Sequence, residues 1–108
     1  MFISNAFSLG MVHENDLPGI RVSKAFGEEI AEALYAGKSF VGHEATAKEL
    51  GVAFNRETLK LRPGDELYVA QYQGERLPEG ATEFPKGSKF KWIRVFIDPD
   101  YCMPKEDS

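Results

Sequence analysis

His43 stands where an apolar run, "SFVG", gives way to "HEATAKELG", a segment that reads as a short helix closed by Gly51. A helix start offers unpaired backbone N–H groups and the positive end of the helix dipole, a setting that suits a phosphate. Thr46, three positions on, adds a hydroxyl, and the imidazole adds a group that can give or take a proton near neutral pH. His43 also fits the plainer role of a polar residue at a helix start, and the stretch alone does not separate the two. A second candidate pair lies in "GERLPEG", a glycine- and proline-broken loop. There Arg76 suits the charge of a reacting phosphate, and Glu79 suits proton transfer or the holding of an arginine. Ordinary solvated loop charges are the alternative.

Smaller polar groups complete the set. Asn5 and Ser8 follow the strand-like "MFIS", as ligand contacts or as capping groups. Arg56 in "FNRETLKL" precedes a strand, as a phosphate ligand or a surface cation. Gln71 interrupts the apolar "YVAQYQ", pointing into a pocket or pairing at a sheet edge. Glu28 with Glu29 and Asp98 with Asp100 sit in settings of a helix start and a strand end, not of glycosidase chemistry. The chain has no glycine-rich phosphate loop, no nucleophile elbow and no His/Cys cluster at metal-ligand spacing. No metal or cofactor is expected.

The elements that must position these residues fit one domain. A chain of 108 residues builds a single core, and 43% apolar with 28% charged residues is the composition of a globular protein. A net charge of −4 argues against a broad DNA-binding surface but leaves room for a small anion held by a few arginines. No apolar run approaches the roughly 20 residues that span a bilayer, and the N-terminus does not resemble a signal peptide. A single cysteine, Cys102, excludes an internal disulfide, so a cytoplasmic protein with no membrane partner is expected.

"MFIS" and "GIRVSKAF" predict strands, and "GEEIAEALYAG" predicts a helix with acidic residues in its first turn and Gly37 at its end. "ETLKL" and "DELYVAQYQ" flank the turn signal "RPGD" and predict a hairpin. "KFKWIRVFID", apolar on both faces, predicts a central strand. The tail, about 102–108, is polar and proline-broken and reads as flexible. The expected fold is a compact α/β domain over 1–108: a mixed β-sheet of about five strands flanked by about two helices.

In order along the chain, "MFISNAFSLGM", "VGHEATAKELG", "FNRETLKL…DELYVAQYQ" and "RLPEG" followed by "KWIRVFID" resemble the viral ring nucleases. This is a type III anti-CRISPR family, with CRISPR-associated bacterial relatives, that degrades cyclic tetra-adenylate. The resemblance spans about nine-tenths of the chain, and its most specific blocks are N-A-F-S, G-H-x-x-T and R-L-x-E-G. It implies a homodimer holding the cyclic nucleotide across its two-fold axis. It also implies metal-independent cleavage of cyclic tetra-adenylate to linear di-adenylate, the ribose 2′-hydroxyl attacking to leave 2′,3′-cyclic phosphate ends. This would switch off type III CRISPR signalling, in the host cytoplasm if the protein is viral. By motif position it makes His43, Arg76 and Glu79 catalytic, and Asn5, Ser8, Thr46, Arg56 and Gln71 substrate-binding. Ala45 departs from the family's serine, the loop between Gln71 and Arg76 is one residue longer, and "ATEFPKGSKF" replaces a helix. These departures frame a second expectation, a non-catalytic binder of cyclic oligoadenylate. A structural module without a nucleotide site is the third.

Overall fold

The computed structural model describes residues 1–73 and 89–100. Arg76, Glu79, most of the segment that departs from the family pattern, and the tail 102–108 lie outside the described residues. Five strands form one mixed sheet in the order β2-β5-β4-β1-β3. They are β1 (Phe2–Ser4), β2 (Ile20–Lys24), β3 (Lys38–Ser39), β4 (Glu66–Gln73) and β5 (Lys89–Ile97), with helices α1 (Gly27–Ala36) and α2 (Glu44–Leu50) between them in the chain. β1 pairs in parallel with β3 and β4, and β5 pairs antiparallel with β4 and β2. The five-stranded α/β domain expected from sequence is thus present. β5 is an inner strand, as its two-faced apolar pattern requires, but β4 holds the middle of the sheet.

Alternation along β4 sends side chains to two different coverings. Leu67 and Val69 face one core with Val95, Ile97, Val12, Leu59 and Leu61, joined by Phe2, Phe7, Met11 and Phe40. Tyr68 faces the other, with Ile3, Val41, Ala33 and Ala47, joined by Ile30, Leu34 and Leu50 from the two helices. Helices therefore cover one face, and two irregular segments, around 7–12 and 57–61, cover the other. Leu67 is fully buried; truncating such a leucine to alanine costs about 2–5 kcal/mol, a large share of a small domain's stability.

Both helices start and stop near the predicted residues, for local reasons. Glu28 and Glu29 place negative charge in the first turn of α1, complementing its dipole. Gly37 follows α1 in an ordinary extended conformation. Glycine is needed there because an added Cβ would stand 2.6 Å from the Ala33 carbonyl oxygen and 3.3 Å from Ile3. Gly51 ends α2 in the left-handed conformation, φ 71°, with its N–H donating to the last turn.

The predicted hairpin around "RPGD" is half right. The turn forms: the Asp65 N–H donates to the Arg62 carbonyl at 2.9 Å, and the Arg62 N–H donates to the Asp65 carboxylate at 2.7 Å. The incoming "ETLKL" does not fold back on β4. Instead Leu61 makes a parallel bridge with Val12, its N–H donating to the Met11 carbonyl at 2.7 Å. A Pro-Gly turn reverses the chain but does not choose the partner. The buried Leu59 and Leu61 are drawn to the loop-covered core instead.

Candidate functional site

Because β1, β3 and β4 are parallel, their carboxyl ends emerge along one edge of the sheet. In open α/β sheets that edge is where loops meet around ligands. Asn5 directly follows β1, Gly42 and His43 follow β3, and Gln71 lies in the last part of β4 beyond its pairing with β1. Asn5 joins the first two loops: its side-chain oxygen accepts the Gly42 N–H at 3.1 Å, one residue before His43. Gln71, half-buried and paired with Lys91, shares a sheet face with Leu67 and Val69.

His43 is the N-cap of α2. Its Nδ1 accepts the Thr46 N–H at 3.3 Å and lies 3.0 Å from the Thr46 hydroxyl. An amide N–H only donates, so Nδ1 is the acceptor and the proton of the neutral ring sits on Nε2. Thr46 is buried and His43 exposed, so the buried Thr46 holds the imidazole by its Nδ1 edge. In the protonated ring, Nδ1–H would find the Thr46 hydroxyl oxygen as its acceptor. The helix cap thus uses the Nδ1 edge of the imidazole and needs that nitrogen unprotonated. Ala45, beside it, is fully buried.

Arg56 reaches the site on a segment laid parallel to the extension of β3, where Val41 bridges Phe54. Asn55 orders this segment through three contacts. The Asn55 N–H donates to the Val41 carbonyl at 2.9 Å, its side-chain amide donates to the Ser39 carbonyl at 3.0 Å, and its side-chain oxygen accepts the Glu57 N–H at 3.0 Å. The buried Ser39 hydroxyl donates to the Ala53 carbonyl at 2.6 Å and accepts the Val41 N–H at 3.2 Å. Arg56, held between two pinned neighbours, packs its stem beside Gly42, whose added Cβ would lie 3.7 Å from Arg56 Cγ. Lys60 also donates to the Gly10 carbonyl, tying this segment to the loop after β1. Between the two lies a cleft of about 380 Å³ whose lining includes Ser8, Phe40, Arg56 and the acidic Glu57.

Among the described residues two other arginines are ion-paired. Arg21 pairs with Asp98 at 2.8 Å, and Arg94 pairs with Glu66 at 3.2 Å, both away from the cleft. Burial pushes the Glu66 carboxyl up, but the Arg94 guanidinium and the Tyr68 hydroxyl outweigh it and hold the group below its ordinary value. Arg56 makes no side-chain hydrogen bond or ion pair among the described residues. An arginine positioned by its neighbours and without an ion-pair partner among the described residues can receive an anion. No group of three His, Cys, Asp or Glu side chains among the described residues is placed to hold a metal ion.

Five of the predicted positions therefore lie together at one end of the sheet: Asn5, Ser8 and Arg56 on adjoining loops, and His43 and Thr46 at the start of α2. Gln71 lies at the end of β4 on the cleft's side of the sheet. Sequence reading missed Gly42, which touches both Asn5 and Arg56, and the Ser39–Asn55 clamp. The signal for the clamp was "FNRE", an asparagine immediately before the candidate arginine, since asparagine side chains habitually hydrogen-bond nearby backbone.

The STIV B116-like family model matches residues 1–87, which include every candidate position. The chain belongs to the STIV B116-like family. Seven solved chains match it significantly. One is B116 of Sulfolobus turreted icosahedral virus: 25% identical, TM-score 0.67, with 88% of this chain and 97% of that chain covered. No curated protein sequence matches at a significant level. The fold of this STIV B116-like chain is thus that of a viral protein, and no helix among its described residues is long and apolar enough to cross a membrane.

Proposed function

We propose that this STIV B116-like protein is a metal-independent ring nuclease that opens cyclic tetra-adenylate, acting as a homodimer. The observation that carries the reading is convergence. Asn5 and Ser8, His43 and Thr46, and Arg56 come from three separate stretches of sequence, and the fold gathers them on adjoining loops and the first turn of α2, with Arg56 unpaired among the described residues. A ring of four identical nucleotides matches a two-fold axis, so two copies of the site would each address one linkage.

In the proposed reaction the ribose 2′-oxygen attacks the adjacent phosphorus, and the bond from phosphorus to the 5′-oxygen breaks. The 2′-hydroxyl gives up its proton and the 5′-oxygen takes one, leaving a 2′,3′-cyclic phosphate and a free 5′-hydroxyl. His43, protonated on both ring nitrogens, would supply the second proton from Nε2 and return to the neutral ring. Arg56 would hold a phosphate of the ring. Arg76 and Glu79, outside the described residues, are assigned to the transition-state charge and to the 2′-hydroxyl proton by motif position alone. Holding the hydroxyl in line with the leaving oxygen would supply much of the acceleration.

The test is incubation of the purified protein with cyclic tetra-adenylate in excess EDTA, with products resolved by liquid chromatography and mass spectrometry. Linear adenylates ending in cyclic phosphate support the reading. An intact ring that nonetheless binds tightly would replace it with a non-catalytic cyclic oligoadenylate binder, and an intact ring that does not bind would end both.

A further inference from the structure

A side chain continues the sheet where β1 stops. β1 and β3 run in parallel, and every second residue of β1 offers a carbonyl as a rung. The Met1 carbonyl accepts the Lys38 N–H at 3.0 Å, and the Ile3 carbonyl accepts the Phe40 N–H at 2.6 Å. The next rung in this period joins residue 5 to residue 42. It is present at 3.1 Å, but its acceptor is the Asn5 side-chain oxygen. β1 has ended at Ser4, whose hydroxyl accepts the Ala6 N–H at 3.2 Å and so turns the chain. Asn5 thus carries the parallel pairing one step past the strand, to the residue before His43.

That rung falls on a joint. Before it, Val41 is fully buried and its carbonyl accepts the Asn55 N–H at 2.9 Å. After it, His43 caps α2 and its carbonyl accepts the Ala47 N–H at 3.0 Å. Gly42, between them, has no side chain to pack, and glycine has the widest choice of backbone angles. The hydrogen bond from its N–H to Asn5 ties this joint to β1. We propose that Asn5 is a positioning residue for His43, acting through Gly42 to fix the backbone that carries the imidazole. The inference rests on the ring-nuclease reading for its effect on rate, whereas the brace itself does not. It changes the part expected of Asn5, whose oxygen is committed to the protein and aims the proposed acid.

An N–H only donates, so the acceptor at Gly42 is the oxygen of Asn5, and an aspartate would supply the same acceptor. Asn5→Ala removes it. Asn5→Asp keeps it while losing the amide donors and adding a negative charge. A direct ligand contact would be damaged by both substitutions, a brace by the first alone. Nitrogen-15 NMR of the His43 ring at about pH 8.5, where an imidazole is neutral, needs no ligand. Wild type should give separate signals for an acceptor Nδ1 and a donor Nε2, as the cap requires. Asn5→Ala should draw the two toward a common average as the ring exchanges tautomers, and Asn5→Asp should keep them apart. Single-turnover opening of cyclic tetra-adenylate at saturating protein should fall roughly 10–100-fold in Asn5→Ala and recover in Asn5→Asp. Unchanged β4–β5 amide signals confirm folding. Unaltered His43 signals in Asn5→Ala would overturn the brace whatever the rates. Asn5→Asp as slow as Asn5→Ala, with His43 signals like wild type, would replace the brace with a direct ligand contact. Averaged His43 signals in Asn5→Ala, with no ring opening by wild type, would end the nuclease reading and keep the brace.

Discussion

Two substitutions at His43 separate its helix-capping work from its proposed proton chemistry. His43→Ala removes the acceptor of the Thr46 N–H and leaves that buried residue's amide without its side-chain partner. Loss of an N-cap costs about 1 kcal/mol, which lowers Tm by roughly 4–8 °C in a domain this small. His43→Asn keeps an oxygen that can accept the same N–H, since asparagine is among the best N-caps, and should restore Tm to within a degree or two of wild type. Neither variant has a proton to give near neutral pH, so both should lose roughly 10²–10⁴-fold in single-turnover opening of cyclic tetra-adenylate. Thermal melts beside rapid-quench assays on the three proteins give the answer. A His43→Asn protein that cleaves at the wild-type rate refutes the acid role. A His43→Ala protein that melts with wild type refutes the cap.

Asn55→Ala removes two side-chain hydrogen bonds that flank Arg56. At about 1 kcal/mol each, the loss should be roughly 8–16 °C in Tm. Ligand affinity should fall with it, and isothermal titration should find Asn55→Ala with Arg56→Ala no weaker than Arg56→Ala alone. Gly37→Ala pushes a Cβ into the Ala33 carbonyl and should cost about 1–3 kcal/mol by urea melts, with no direct effect on the distant cleft. Glu66 has a folded-state pKa held below its ordinary value of 4.5, so its contribution is present above that pH and is lost as pH falls through the folded value. Glu66→Gln should therefore be less stable than wild type at pH 7, and the gap should close toward pH 3. A gap that stays constant would show that charge is not the cause.

What the sequence made legible was what short-range physics decides. α2 begins at His43 and ends at Gly51 because a side-chain acceptor and a left-handed glycine act within one turn of themselves. α1 carries its acidic first turn in plain view. Where partners are distant in the chain, local signals fell short. "RPGD" is a turn, yet Leu61 pairs with Val12, because both are drawn into the loop-covered core. In the same way Arg56 was readable as a candidate, while the clamp that aims it was not. Ser39 and Asn55 are ordinary polar residues until the register of β3 brings the first beside the second. The close approach of α1 to β1 at Gly37 is likewise visible only once Ile3 and Ala33 are packed.

The segment from Ala53 to Leu61 joins the body by two isolated bridges, Val41 with Phe54 and Val12 with Leu61, and by side chains, not by a continuous ladder. Such a segment can detach as a small cooperative unit while β4 and β5 stay paired over eight registers. Its amides should then exchange with solvent well before those of Leu67 or Val69. The segment that carries Arg56 is thus joined to the sheet less continuously than β4 or β5. A ligand bridging it to the strands would slow its exchange selectively, so occupancy would register as a local change in kinetics before it altered global stability.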